Sequence, residues 1–331
     1  MLPGYLVEHM TADKKIVVIG GGTGTYTVLT GLKAHTPKLT AVVSMADSGG
    51  STGRLRDEFG ILPPGDVRRA LLALSDAPEQ LLLRQLFEYR FKKGNGLSGH
   101  SFGNLLLTAL TEILGNEVEA IKEAGKLLNI KGEVLPVTLT KAHLVARLTD
   151  GTLVRGETNI DVRIVGPTLK ILDVFLDPSS SIYPPVQQVI SEADLIVLGP
   201  GDLYTSIIPN LLVKGVSEAI CQSSAKVVYV CNIMNKHGET DNFSVEDYVR
   251  EIEKYLRCKP KKVVDAIIVN KSKYPRSLLK KYEQEKAYPV KIDFTNVNNL
   301  SPQVLVGDFT RKETLLRHDP EKLARAITSL L

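Results

Sequence analysis

A chain of 331 residues can hold one large domain or two ordinary ones, and its 43% hydrophobic and 24% charged composition excludes disordered and fibrous classes. The formal charge of only +4, with Lys and Arg spread along the chain, argues against nucleic acid as a partner. No apolar run approaches the ~20 residues that span a bilayer, so no membrane insertion is expected.

Residues 1–13 carry Glu8 and His9 and lack the basic start and apolar stretch of a secretory signal. They read as a loose leader ahead of one continuous domain over 14–331. Short β-branched runs then alternate with longer helical patterns, the order that wraps βαβ units around a parallel sheet. The first strand is expected at Ile16 to Gly20 (IVVIG), followed by a helix over Thr25 to Ala34 and a second strand at Thr40 to Ala46. Helical patterns follow at Val67 to Leu74, Glu79 to Phe87, Gly103 to Leu114 and Glu117 to Leu128. From Glu133 to Phe175 the runs VLPVTL, LVARLTD, LVRGET and LKILDVFL are joined by turn signals such as Asp150-Gly151, which predicts antiparallel strands. Alternation resumes with a helix over Pro185 to Glu192 and strands at Leu195 to Gly199, Lys226 to Ile233 and Ala266 to Asn270. Among these strands fall helices over Ser206 to Cys221, Val245 to Leu256 and Ser277 to Glu285. A last helix over Pro320 to Leu330 has Asp319 as its N-cap and Pro320 at its first position. Five strands apolar on both faces predict an α/β fold: a Rossmann-like, doubly wound, mostly parallel sheet with an inserted antiparallel β region. Cys221, Cys231 and Cys258 have neither CxxC spacing nor a His cluster beside them, so no disulfide framework or zinc site is expected, and a reducing, cytoplasmic compartment fits.

Functional groups concentrate where strands end. IVVIG runs into Gly20-Gly21-Gly22-Thr23-Gly24-Thr25 and at once into a helical pattern, so backbone N–H groups at a helix start can face a phosphate with no side chains to hold it off. The loop departs from GxGxxG, with Val28 where a third glycine would be sought, and no Walker lysine follows; a glycine-rich turn without a ligand is the alternative. The second strand ends in Asp47-Ser48-Gly49-Gly50-Ser51-Thr52-Gly53-Arg54, which brings hydroxyls, glycines and a guanidinium beside the first loop. Asp47 lies where an acid would bond ribose hydroxyls, and it could equally bind a divalent cation. Asp66, in Pro63-Pro64-Gly65-Asp66-Val67-Arg68-Arg69, suits an N-cap and suits equally a second acid near Asp47, with Arg68 or Arg69 available for phosphate. Gly99-His100-Ser101-Phe102-Gly103-Asn104 opens another helix, so Asn104 can face the same cleft, while His100 is not assigned as a base. In Gly199-Pro200-Gly201-Asp202-Leu203-Tyr204-Thr205-Ser206, Thr205 and Ser206 can cap the following helix or donate to an anion. Asn232 ends a further strand and Arg317 precedes the last helix. The ligand-binding candidates are thus Gly21, Gly22, Thr23, Gly24, Thr25, Asp47, Ser48, Gly49, Gly50, Ser51, Arg54, Asn104, Gly199, Pro200, Gly201, Tyr204, Thr205, Ser206, Asn232 and Arg317, with Asp47 and Asp66 as candidate metal ligands.

The motifs GGGTGT at Gly20, DSGGSTGRLR at Asp47, PPGDVRRAL at Pro63, GHSFGNL at Gly99, GPGDLYTSIIPNL at Gly199, CNIM at Cys231, GETDNFS at Gly238 and RHD at Arg317 come in this order. Together they resemble the YvcK-type gluconeogenesis factors of the CofD-like superfamily, over about residues 14–331. The sequence departs from that family in reading Asp47-Ser48 where paired aspartates are common, and Asp202 where a small residue is common. The resemblance implies a cytoplasmic protein tied to gluconeogenic growth, cell shape and envelope precursor supply, which binds a UDP-sugar or an NAD-like dinucleotide. The related CofD enzymes move a 2-phospholactyl group from a nucleotide-activated donor to a deazaflavin with Mg²⁺. By that analogy Asp47 and Asp66 would hold the metal and the glycine loops the donor phosphates. A nucleotide-binding regulator is expected ahead of such a transferase, because no convincing nucleophile and base accompany the loops; an NAD-dependent dehydrogenase ranks below both. A homo-oligomer is expected, and Gly22→Val is expected to abolish nucleotide binding while leaving the fold largely intact.

Overall fold

The computed structural model describes residues 13–76, 81–258, 263–293, 303–312 and 315–331. β1 (Ile16–Gly20) is buried along its whole length, as a β-branched run covered on both faces should be. It leads into α1 (Gly22–Leu32), β2 (Leu39–Val43), α2 (Gly50–Phe59), α3 (Pro64–Leu74), α4 (Leu81–Glu88), α5 (Phe102–Leu114), α6 (Glu117–Leu127) and β3 (Glu133–Pro136). An insert follows: β4 (His143–Leu148), β5 (Leu153–Arg155), α7 (Glu157–Asp161) and β6 (Ile171–Asp177). The chain returns through α8 (Pro184–Ser191), β7 (Leu195–Leu198), a π-helical turn (Leu203–Ile207), α9 (Ile208–Leu211), α10 (Val216–Gln222), β8 (Lys226–Val230), α11 (Val245–Leu256), β9 (Ala266–Asn270) and α12 (Arg276–Gln284). β10 (Gln303–Gly307), the hairpin of β11 (Thr310–Lys312) and β12 (Leu316–His318), and α13 (Pro320–Thr328) end it.

Seven strands form one parallel sheet in the order β10-β9-β8-β7-β1-β2-β3. The winding reverses between β1 and β7, which pair in register from Ile16 opposite Leu195 to Ile19 opposite Leu198. Connections leaving the C-terminal ends of these two neighbours diverge around a crevice, where open α/β sheets bind ligands. One hydrophobic cluster joins the sheet, its helices and Leu144, Ala146 and Leu148 of the insert. α1 packs against α3 and α13, while α10 packs against α8 and α11. Among the described residues no helix is long and apolar enough to cross a membrane.

Several elements differ from the sequence reading. VLPVTL does not belong to the antiparallel region: β3 pairs parallel with β2, Thr40 opposite Glu133, at the sheet edge. A four-residue strand bears no local mark of its direction, so turn signals nearby misled. The insert keeps three antiparallel strands in the order β5-β4-β6. The helix expected over Ser206 to Cys221 is divided: the π turn runs into α9, and the helix breaks over 212–215, where Gly215 at φ +97° sets the start of α10. The run Gly50–Phe59, read as a loop, is helical, and burial of Thr52 and Leu55 outweighs its poor intrinsic propensity. Cys221 and Cys258 form a disulfide with Cα atoms 5.7 Å apart, against the expectation from their spacing; only the packing of α10 beside α11 makes them neighbours. Asp319 caps α13 as expected, accepting from Glu321 and Lys322 N–H groups at 3.0 Å. The leader apart from Asp13, and residues 79 and 80 of the helix expected there, lie outside the described residues.

Candidate functional site

Two glycine turns leave the switch point. In the first, Gly22 sits at φ +68°, a conformation that strains a residue with a Cβ, and its N–H donates to Asp66 Oδ1 at 2.9 Å. Gly24 makes room for the second turn: a Cβ there would lie 2.0 Å from the Pro200 carbonyl oxygen. The two bends therefore touch. Asn232, just after β8, ties the second by accepting from Gly201 N–H at 3.3 Å and donating from Nδ2 to Gly201 O at 2.8 Å. In the connection after β2, Asp47 Oδ1 accepts from Gly49 N–H at 2.9 Å. Ser48 Oγ accepts from Thr158 N–H at 3.0 Å, which draws α7 of the insert to the crevice.

These groups enclose a cleft of about 470 Å³ whose walls include both glycine turns, Asp47, Asp66, Arg69, Glu157, Asp161, Asp202 and Ser206. A smaller cavity of about 190 Å³ adjoins it, with Thr23, Gly24, Gly201 and Asp202 bordering both. Its remaining wall includes Asn232, Ile233, Met234, Tyr282, Leu316, Arg317 and His318. Burial holds His318 down to about 4, so its imidazole is neutral. Two grooves of comparable volume lie at the starts of β1 and β2 and beside the disulfide, away from the strand ends where turns and charges converge.

The main cleft is acidic. Burial, and then the Asp47 charge, push Asp66 up to about 6, although Arg69 at 3.3 Å and the Gly22 N–H favour its carboxylate. Burial and Asp47 push Glu157 up to about 7; burial, Glu239 and Glu157 do the same to Asp202. Burial also raises Glu239, against the pull of Lys236. The carboxylates fall into two sets that differ in how their charge is met. Asp161, Asp202 and Glu239 have ligand oxygens within 4.8 Å of one another, and the Lys236 ammonium contacts all three. For Asp47, Asp66 and Glu157 the ion-pairing cation is Arg69, bound to Asp66 with 43% of its own side chain exposed. Both sets offer only hard oxygen donors, the ligand type of a divalent cation such as Mg²⁺, and among the described residues only the set around Lys236 has three ligand atoms within 4.8 Å of one another.

Of the residues named from sequence, Gly21, Gly22, Thr23, Gly24, Asp47, Gly49, Asp66, Gly201, Thr205 and Ser206 line the main cleft. Pro200, Asn232 and Arg317 line the smaller cavity. The others are not among these walls. Thr25 Oγ1 donates to Gly21 O at 3.1 Å, Tyr204 is buried with its N–H given to Glu239 Oε2 at 3.3 Å, Gly50 opens α2 and Gly199 follows β7. Arg54 turns to the Ser98 carbonyl at 2.9 Å. Ser51 and Asn104 belong to a buried network. His100 Nδ1 lies 3.0 Å from Ser51 Oγ, Asn104 Nδ2 donates to Ser51 Oγ and Thr52 Oγ1 at 3.3 Å each, and Arg68 Nε donates to Asn104 Oδ1 at 2.9 Å. Asp66 is no N-cap, because Pro63 holds that position and Asp66 lies inside the first turn with its carboxylate on Gly22. Neither Thr205 nor Ser206 caps a helix; Asp202 precedes the π turn, and Thr205 Oγ1 donates to Glu239 Oε1 at 3.3 Å. Of the two arginines weighed for phosphate, Arg69 lines the cleft and Arg68 is buried. Sequence reasoning missed Glu157, Thr158 and Asp161, which sit in a region read as antiparallel strands with no chemistry assigned to it, and it missed Lys236 and Glu239, whose pairing is tertiary.

The profile of the 2-phospho-L-lactate transferase CofD family matches residues 16–310. A gluconeogenesis factor of Bacillus subtilis is 43% identical over 97% of this chain and 99% of its own length. A putative gluconeogenesis factor of Thermotoga maritima is 46% identical over 95% of this chain and 98% of its own. Among solved structures, a upf0052 family protein of Bacillus halodurans superposes with a TM-score of 0.88 at 43% identity, covering 95% of this chain and 98% of that one.

Proposed function

The chain belongs to the CofD family, among its gluconeogenesis factors, and from that premise we propose that it is a cytoplasmic, nucleotide-binding regulator of carbon metabolism, cell shape and envelope precursor supply. Its main cleft takes the diphosphate of a UDP-sugar or of an NAD-like dinucleotide. The contact between the two glycine turns at the β1–β7 switch point carries this reading. The first-turn N–H groups of α1 have no acceptor within their own helix, and the turn that bears them shares one cleft with Thr205 and Ser206. A bare diphosphate would meet Asp47, Asp66 and Glu157 as like charges. Asp47 and Asp66 would hold Mg²⁺, and the bound cation would offset the phosphate charge. Arg69 and Ser206 stand ready as direct donors, and the smaller cavity suits the less charged remainder of the nucleotide, with Ile233, Met234 and Tyr282 for a ring and Arg317 for a polar edge. We further propose a homo-oligomer, which light scattering of the purified chain tests.

A second reading, a transferase acting on a nucleotide-activated donor, draws on Glu157: a carboxylate held near 7 in the same cleft is suited to take a proton from an acceptor hydroxyl. Calorimetric titration with UDP-glucose and with NAD, each with and without Mg²⁺, separates the two. The regulator is expected to bind one of them saturably, with Mg²⁺ dependence, and to leave it chemically unchanged. Recovery of a cleaved nucleotide identifies the transferase, and no heat from either ligand in the presence of Mg²⁺ overturns nucleotide binding.

A further inference from the structure

Lys236 is the point at which three separate parts of the chain meet beside the cleft. Its Nζ contacts Asp161 at the end of α7 in the insert, Asp202 on the connection after β7 at 2.7 Å, and Glu239 close by in sequence at 3.4 Å. Asp161 and Asp202 both line the main cleft; Lys236 is not itself part of its wall, but its ammonium reaches both residues and its side chain is 29% exposed. Three carboxyl groups share the one ammonium, so no single one of them depends on it alone. Lys has a compact charge on a flexible stem with rotatable donors, so it can change acceptor without backbone movement. A phosphate oxygen entering the cleft is such an acceptor. The other bonds drawing α7 to the body both join Ser48 to Thr158 and are neutral: Thr158 N–H donates to Ser48 Oγ at 3.0 Å, and Ser48 Oγ donates to Thr158 Oγ1 at 3.4 Å.

Resting on the diphosphate reading above, we propose that Lys236 exchanges acceptors: without nucleotide it ties Asp161 to Asp202, and with nucleotide it donates to a phosphate oxygen, untying α7 of the insert. Lys236 is then a specificity-determining residue for the diphosphate, and Asp161 is its internal competitor. The two have effects of opposite sign. Lys236→Met removes a charged donor and is expected to weaken UDP binding about tenfold, while Lys236→Arg retains most of it. Asp161→Asn releases the ammonium and is expected to tighten binding about threefold. Relief of general repulsion would also tighten it, so the double variant decides: with acceptor exchange, the gain from Asp161→Asn disappears when Lys236 is already Met. Amide exchange across residues 157–161 is expected to rise when UDP and Mg²⁺ are added to the unmodified protein, and to be raised already in unliganded Lys236→Met.

An equal Asp161→Asn gain with and without Lys236, or exchange over 157–161 that UDP leaves unchanged or slows, overturns the acceptor exchange while nucleotide binding stands. Unmodified protein that binds neither UDP nor inorganic pyrophosphate in the presence of Mg²⁺ overturns both.

Discussion

Burial and the neighbouring Asp47 charge hold the Asp66 carboxyl near 6, so at neutral pH the folded protein keeps a charge that its surroundings disfavour. A folded pKa above the unfolded one means that the native state binds the proton more tightly. That stabilisation is complete below about pH 4 and is lost as pH rises through 6. Asp66→Asn keeps an acceptor for the Gly22 N–H, and it is expected to stabilise the protein at neutral pH by on the order of 2 kcal/mol and to change nothing below about pH 4. Melting curves across that range check it, and a gain independent of pH would mean that the carboxyl is not desolvated. Gly22 needs a different account from the one its sequence suggests. With φ at +68°, Gly22→Val strains the backbone as well as blocking a ligand, so a stability loss of about 1–2 kcal/mol should accompany any loss of binding. Gly24→Ala drives a methyl into the Pro200 carbonyl and is expected to cost about 1–3 kcal/mol while parting the two turns. Urea melts beside UDP-glucose titrations read both effects; unchanged affinity in a destabilised variant would remove the contact between the turns from the binding site.

Among elements, α10 and α11 are joined beyond their packing by Cys221 and Cys258, which are 37 positions apart; on the chain-entropy account, closing such a loop stabilises the fold by about 4 kcal/mol. Cys221→Ser is expected to lower the melting temperature of oxidised protein and to leave fully reduced protein unaffected. If a reducing agent does not shift the melting of the unmodified chain, the bridge contributes nothing. The α13 cap is smaller in scale: Asp319→Ala leaves the Glu321 and Lys322 N–H groups without their acceptor and should cost about 1 kcal/mol in a urea melt. That cap was legible because Asp-Pro before an amphipathic run is a local signal. The limits of β1 and β9 were legible for a similar reason, since β-branched runs covered on both faces end where glycine or polar residues begin. The direction of β3 and the break between α9 and α10 were not, because neighbours in space decide the first and the second shows only as Gly215 within a strong helical period.

For the molecule as a whole, the site joins what the sheet brings together at the carboxyl ends of its central strands. A nucleotide held by both glycine turns should stabilise the entire fold, by about 2.7 kcal/mol at a free concentration a hundredfold above Kd, and a chelator should reverse that gain if Mg²⁺ is part of the site. Local patterns sufficed to show that strands end in glycine turns at Gly20 and Gly199, and that a doubly wound sheet opens its crevice there, because hydrophobic period and backbone freedom are properties of short segments. Only the tertiary structure decided that Asp66 reaches Gly22 instead of capping its own helix, and that Arg69 rather than Arg68 faces the cleft. It alone brought Glu157 and Asp161 in from an insert, and set Lys236 between Asp161 and Asp202. Those placements follow from the pairing of β1 with β7 and from the docking of the insert, long-range contacts whose energies no single segment reveals.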